Sequence, residues 1–296
     1  MSSGPAVTVV MPVFNGARYI GEAIESILAQ SLPDFELLVI DDGSTDTTPE
    51  VLRRHADPRL RVIRFRENCG IPSARNAGID AAQSQVLAFL DHDDIALSNR
   101  LEKQLGFLES HPGIGLVGAA IEMIDEDGAP LRTVQLPKTD SEIRWLNLLD
   151  CPMRQSSLTL RTDLARRHRY DPQYPSLSDW DFLQRILAET EAVNLPEVLV
   201  RYRSHPVNVS HQERTRAIRT GALLSHRAIR SVLPNLPVSL EEVQDMRSAV
   251  LGLTAPDEKI SPERMRHGLR LYLELFEAFN KTHQTQISPD APGRRE

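Results

Sequence analysis

Short apolar runs alternate with amphipathic stretches over the first third of the chain. Val7-Thr8-Val9-Val10-Met11 is a β-branched run of strand type, stopped by Pro12 and followed by a loop at Asn15-Gly16. Over residues 17–29 the apolar positions Ile20, Ala23, Ile24, Ile27 and Leu28 recur at i, i+3, i+4, which predicts a helix with one buried face. Residues 35–40 predict the next strand, ending in Asp41-Asp42-Gly43-Ser44, and 47–55 a second helix with Pro49 near its first turn. Strand 61–65, helix 73–82 and strand 86–90 continue the series, the last ending in Asp91-His92-Asp93-Asp94. Downstream the pattern predicts a helix from Asn99 to about Ser110, a strand over 114–124 before a turn at Asp127-Gly128, and a helix near 143–149. A short strand at 158–160, a helix at 179–187 and a strand at 198–202 follow. From Glu213 onward the pattern is helical, at 215–232, 240–253 and 262–281, and 283–296 reads as a mobile tail.

Val- and Ile-rich strands separated by helices imply an α/β architecture with parallel strands buried on both faces. Ligands of such sheets bind outside the carboxyl ends of the strands. Two of these ends are acidic, Asp41/Asp42 and Asp91/Asp93/Asp94, so both clusters are expected to face one crevice.

Composition narrows the classes. The 296 residues carry 34 Lys+Arg against 41 Asp+Glu, a formal charge of −7, with 41% hydrophobic and 25% charged residues, as in an ordinary globular protein. That length suits one large α/β domain with a helical extension, or two small domains. The acidic balance argues against nucleic acid as a main partner. Cys69 and Cys151 form no CxxC pair, so neither a disulfide framework nor a structural zinc site is indicated. No secretory signal pattern is visible and no run of about 18 apolar residues occurs, which makes a cytoplasmic protein the expectation.

Carboxylates crowded into one crevice repel each other unless a cation lies between them. Asp91 and Asp93 fall on the same side of an extended segment, a pairing suited to Mg2+ or Mn2+, and magnesium completes its shell with water and substrate phosphates. The same tetrapeptide also reads as an acidic helix start. Asp41-Asp42-Gly43-Ser44 is equally two-sided: a turn with Ser44 or Asp46 capping the next helix, or a site where Asp42 accepts a hydrogen bond from a bound base or sugar. After the first strand, Val13-Phe14-Asn15-Gly16 is neither a Gly-rich basic phosphate loop nor a GxGxxG, which counts against a nucleotidyltransferase and a dinucleotide-binding dehydrogenase.

Order and spacing across the chain add what single motifs lack. Val9-Val10-Met11-Pro12-Val13-Phe14-Asn15-Gly16, Ser26-Ile27-Leu28-Ala29-Gln30-Ser31 and the run from Phe35 to Asp46 are followed by Glu67-Asn68 and Ser73-Ala74-Arg75-Asn76-Ala77-Gly78-Ile79. Phe89-Leu90-Asp91-His92-Asp93-Asp94, Ser178-Asp179-Trp180-Asp181-Phe182 and Tyr202-Arg203-Ser204-His205 complete the series. Jointly these runs resemble the family 2 glycosyltransferases over about residues 7–210, with no such signal in the C-terminal third. The resemblance implies a GT-A fold, a mostly parallel sheet flanked by helices. It divides the chain into a nucleotide-sugar half at about 1–98, an acceptor half at about 99–210 and a helical C-terminal extension at 211–282. It further implies metal-dependent, inverting transfer of a sugar from a nucleotide-sugar donor to a glycan or lipid-linked acceptor, in assembly of cell-envelope polysaccharide or glycolipid.

Carried onto this sequence, the resemblance assigns Pro12, Phe14 (by its ring or its backbone) and Asp42 to the base and ribose, and Arg75 and Asn76 to the nucleotide or its phosphates. Asp91 falls near the ribose and Asp93 on the divalent metal, with His92 a bystander. Phe14 otherwise reads as ordinary packing, and Asn76 as a loop tie. His205 matches a position that approaches the metal or diphosphate, against the alternative of a structural histidine. Asp179 matches the general base, with Asp181 as second candidate or as a carboxylate serving the helix dipole. Two departures stand out: Ser178 replaces the Glu usual before the base, and Gln155 stands where a His is frequent. They make a non-catalytic nucleotide-sugar-binding module the alternative. For the C-terminal helices three roles stay open: an acceptor-side cover, a homodimer element, or a peripheral dock at the inner face of the membrane. Seven Arg against one Glu between Arg201 and Val232 motivate the last, with an internally paired or solvated face as the plain alternative.

Overall fold

The computed structural model describes residues 4–205, 214–254 and 260–283. The first third alternates as the apolar pattern requires: β1 (Val7–Val13), α1 (Ile20–Leu28), β2 (Phe35–Asp41), α2 (Thr48–Arg54), β3 (Leu60–Arg64), α3 (Ile71–Ala81) and β4 (Val86–Phe89). Then come β5 (Ile95–Ala96), α4 (Arg100–Ser110), β6 (Ile114–Ile124), β7 (Pro130–Val134), α5 (Asp140–Asn147), a 3-10 turn (Gln155–Ser157), β8 (Thr159–Arg161), α6 (Thr162–His168), α7 (Ser178–Ile186) and β9 (Glu191–Arg203). The helices α8 (Arg214–Val232), α9 (Leu240–Leu251) and α10 (Pro262–His283) follow.

One mixed sheet runs β3-β2-β1-β4-β8-β6-β9-β5, with β7 on the side of β6. The strands β3, β2, β1 and β4 are parallel, β8 is antiparallel to both its neighbours, and β6 runs parallel to β9. Every residue of β1, β2 and β4 is buried, as their unbroken apolar runs predict. Alternate side chains feed two cores. Val10, Leu38, Ile40, Leu87 and Phe89 pack with Ala74, Ile79, Leu164 and Phe182 on one face. Val9, Met11, Leu37, Val39 and Ala88 pack with Ile20, Ile24, Ile27 and Leu101 on the other. The carboxyl ends of β2 and β4 flank that of β1, so the two acidic clusters share one edge of the sheet.

Pro12 does not stop the first strand. The Val10 carbonyl accepts from Leu90 on the β4 side and the Val13 carbonyl from Asp42 on the β2 side, so Pro12 faces β4, which has already ended at Phe89. Its missing N–H therefore costs no ladder bond. The last strand is longer than its sequence signal: it starts at Glu191, and the register with β6 steps from Ala119↔Leu195 to Ala120↔Val198, a bulge that absorbs Pro196 and Glu197. Short β5, β7 and α6 have no period long enough to read.

The C-terminal helices share a third core with the preceding half. Trp145 of α5 meets Tyr272, Phe276 and Phe279 of α10 at ring-centroid separations of 5.2–5.4 Å, with Val243 and Met246 of α9 and Ile229 of α8 around it. The boundary expected at 210 lies outside the described residues, as does the tail expected at 283–296 except for His283, which ends α10. Of the seven arginines between 201 and 232, Arg201 pairs with Glu122, Arg203 with Glu22 and Arg227 with Asp181, so part of that basic run is internally neutralised. Among the described residues no helix is long and apolar enough to cross a membrane.

Candidate active site

The site is assembled on the carboxyl edge of the sheet. Asp41 ends β2 with its carboxylate wholly buried, accepting the Ser44 N–H at 2.9 Å and facing Arg64 at 3.1 Å. Asp42 accepts from the backbone N–H groups of Cys69 (2.8 Å) and Gly70 (2.9 Å). Burial pushes the Asp42 carboxyl up, these two donors oppose it, and the neighbouring Asp41 charge adds to the rise. Gly43 has φ +74°, and a Cβ there would collide with the Glu67 backbone, so the turn requires glycine. Asn15 ties the loop after β1 to this turn: its N–H donates to Ser44 Oγ (2.9 Å) and its Oδ1 accepts from Thr45 N–H (2.8 Å). Thr48 caps the same loop by accepting the Gly16 N–H at 2.9 Å. Phe14 projects from between the two loops, 41% exposed, so it is not a core residue.

The loop after β4 is held differently. Asp91 accepts from Arg75 at 2.9 Å and donates its own N–H to Ser156 Oγ. Asp93 Oδ2 lies 3.0 Å from His205 Nε2. Burial raises the Asp93 carboxyl, but the His205 hydrogen bond and the His92 and His205 charges outweigh it, holding it below its ordinary value. Asp94 is buried and accepts the Arg203 N–H at 2.8 Å; burial and the charges of Asp93 and Asp91 push it well up. Arg203, itself buried, donates to the carbonyls of Asp93 (2.9 Å) and Glu126 (3.1 Å) and to Glu22 (2.6 Å). Tyr19 fills the gap, its ring 5.2 Å from that of His205 and 4.7 Å from the Arg203 guanidinium. The His92 ring lies against Gly16, where any Cβ would strike it.

Asp179 sits in the first turn of α7, after Leu177 in a left-handed conformation, φ +64°. Its Oδ1 accepts the Trp180 N–H at 2.9 Å, and the buried Cys151 thiol stands 3.9 Å from Oδ2. Burial pushes the Asp179 carboxyl up; Arg75 opposes this most, with the Trp180 N–H and Arg154 assisting, while Asp91 adds to the rise. Asp181, the other candidate base, is consumed: Arg185 at 2.5 Å and Arg227 at 2.7 Å grip its two oxygens. Asn76 is likewise occupied, its amide bonded to the carbonyl and N–H of Tyr170 at 2.8 Å each, the loop tie rather than a free phosphate donor. Gln155 bonds the Tyr170 hydroxyl at 2.8 Å, and Tyr170 stacks on Phe182 at 4.2 Å beneath the Arg75 guanidinium.

Motif reading missed Arg203, Tyr19 and Arg154. Arg203 and Tyr19 act through contacts distant in sequence. Arg154 lies among Asp150, Cys151, Tyr202 and Asp179, and its guanidinium makes no hydrogen bond or ion pair among the described residues. Its only signal was its place one residue before Gln155.

Among the described residues no group of three or more His, Cys, Asp or Glu side chains could hold a metal. Asp93 and His205 together offer one carboxylate and one imidazole, a two-residue set that fits a divalent cation whose remaining positions go to water and phosphate oxygens, and that suits Mn2+ better than Mg2+.

The model of glycosyl transferase family 2 matches residues 8–161. An uncharacterized glycosyltransferase of Haemophilus influenzae is 25% identical over 304 residues, 94% of each chain. The putative teichuronic acid biosynthesis glycosyltransferase TuaG of Bacillus subtilis is 38% identical over 130 residues, 43% of this chain and 51% of its own. Among solved structures, TarS 1–349 of S. aureus in complex with UDP-GlcNAc superposes with TM-score 0.63 at 18% identity, covering 97% of this chain and 85% of that one. The mannosyltransferase PcManGT of Pyrobaculum calidifontis, in complex with GDP-Man and Mn2+, gives 0.60 at 18% identity, covering 98% and 86%.

Proposed function

The chain belongs to glycosyl transferase family 2, and from that premise we propose that it moves a sugar from a nucleotide-sugar donor to an acceptor hydroxyl with inversion, Asp179 serving as general base. One observation carries the assignment of the base. Asp91, Asp93, Asp94 and Asp181 each have an arginine, an imidazole or a distant backbone donor as partner, whereas Asp179 makes no ion pair among the described residues and accepts only the N–H of the next residue and, at 3.9 Å, the Cys151 thiol. Burial keeps its proton affinity above that of an ordinary carboxylate, which suits a group that must take a proton as the acceptor oxygen attacks.

In this reading the acceptor oxygen forms the new bond to the anomeric carbon as the bond to the diphosphate breaks, and the hydroxyl proton passes to Asp179. Attack from the face opposite the leaving group inverts the anomeric centre. Arg75 keeps Asp91 and Tyr170 in place and restrains the rise of Asp179. Phe14 and Asp42 frame the base and ribose at the mouth between the first two loops, with Pro12 at the end of β1 directing the chain there. Asp93 and His205 would hold a divalent cation, which would supply charge neutralisation for the diphosphate. The acceptor is a glycan or a lipid-linked acceptor in cell-envelope polysaccharide or glycolipid assembly, a reading supported by the TuaG relative, whose name places it in teichuronic acid biosynthesis.

Calorimetric titration with UDP, GDP, dTDP and CDP, with Mn2+ and with chelator, tests the donor site. Tight binding of one nucleotide that needs metal and disappears in Asp93→Ala is the expected result. Failure of every nucleotide to bind the folded protein contradicts the reading. The anomeric configuration of the product, read by NMR, tests inversion separately.

A further inference from the structure

The last helix, α10, has a face that nothing among the described residues covers. Gly268, Leu271, Tyr272, Leu275 and Phe279 are its buried positions, packed on α9 and Trp145. Met265, Leu269 and Leu273, spaced four residues apart, are 43%, 44% and 53% exposed. Large apolar side chains exposed singly are normal on a surface; aligned in one stripe along a helix they form a patch, the kind of feature that marks an interaction site when it is rimmed by charge. At the next positions around the helix run Arg266 and Arg270 in its N-terminal half and Glu277 and Glu274 in its C-terminal half, all exposed. None of these four makes an ion pair or side-chain hydrogen bond among the described residues, although Arg270 and Glu274 stand one turn apart.

We propose that this face binds a second copy of the chain, the two α10 helices packing antiparallel about a twofold axis. Such an axis sets stripe on stripe and charged flank on the same flank while reversing the helix direction. Arg266 and Arg270 of one copy then meet Glu277 and Glu274 of the other, and the four unpaired charges find opposite partners. A parallel pair places each charged flank over the body of the other copy, away from its complement. An anionic membrane is the other occupant to weigh; it gains from the two arginines, but the two glutamates on the same flank oppose it. One helix per copy, about 33 Å long, makes a contact at the small end of the stable range, so the dimer forms with micromolar affinity.

Sedimentation velocity of the full chain over about 1–100 µM tests this, and a concentration-dependent monomer–dimer equilibrium is the expected result. Leu269→Glu with Leu273→Glu abolishes the dimer with unchanged circular dichroism. Arg266→Glu with Arg270→Glu weakens it at least about tenfold, and adding Glu274→Arg with Glu277→Arg to that chain restores it. A protein monomeric throughout, a dimer indifferent to the leucine changes, or no rescue by the complete charge exchange overturns the proposal. So does stripe-dependent binding of the monomer to phosphatidylglycerol vesicles.

Discussion

The two acidic loops at the edge of the sheet are alike in composition and opposite in construction. Asp41 and Asp42 are held chiefly by backbone donors: Ser44, Cys69 and Gly70 point N–H groups at them, and a left-handed glycine makes the turn possible. Asp91 and Asp93 are held by side chains, Arg75 and His205, and Asp94 by the Arg203 backbone N–H. Backbone N–H groups cannot be redirected without moving the chain itself, so they make the stiffer cradle. Side chains such as Arg75 and His205 can exchange one partner for a phosphate or a cation, so under the proposed function the second loop is the one that responds to substrate.

Substitutions can break this contrast. Asp93→Ala carries the largest effect: metal-supported nucleoside diphosphate affinity falls about 100-fold by calorimetry, while the melting temperature barely moves. Gly43→Ala does the reverse, costing about 1–3 kcal/mol of stability in urea unfolding, because a Cβ at φ +74° collides with the Glu67 backbone. A Gly43→Ala protein of native stability places the rigidity of that loop elsewhere.

Arg75→Gln gives the smallest and most diagnostic change. Burial raises Asp179 and Arg75 is the main restraint, so its removal lets the carboxyl rise further. A base works only when deprotonated, and activity is lost as pH falls through its pKa. The acid limb of kcat/KM therefore moves to higher pH. The stability sign is opposite. A carboxyl raised in the folded state contributes stability below its unfolded value that is lost as pH rises through the folded one. Arg75→Gln is thus more destabilising near neutrality than at about pH 4, a difference that melting curves at the two pH values read out. An unchanged acid limb removes Arg75 from the account of the base.

Much of the fold was legible because its signals are local. The β-branched runs of β1, β2 and β4 and the stripe Ile20, Ala23, Ile24, Ile27 of α1 each carry their period within one element. Pro12 misled because whether a proline ends a strand depends on which neighbour its missing N–H would have faced, a property of the register. Pro196 hid half of β9 for a related reason, its bulge being visible only against β6. At the site, motif positions named Asp42, Asp91, Asp93, Asp179 and His205, and the fold brings the last four toward one set of charges around Arg75, Arg154 and Tyr202. What the motifs did not carry was pairing. That Asp181 is consumed by Arg185 and Arg227, and Asn76 by the Tyr170 backbone, depends on residues up to 94 positions away.

The claim that Asp179 is the unpaired base is tested most directly by measuring nucleoside diphosphate release and donor affinity together, in wild type, Asp179→Asn and Asp181→Asn, with a panel of UDP-, GDP- and dTDP-sugars. Asp179→Asn is expected to keep donor affinity and lose release by about 10²–10⁴-fold. Asp181→Asn is expected to lose stability first and release only in proportion to unfolding. Full release by Asp179→Asn, or a loss of release in folded Asp181→Asn of equal size, contradicts that claim.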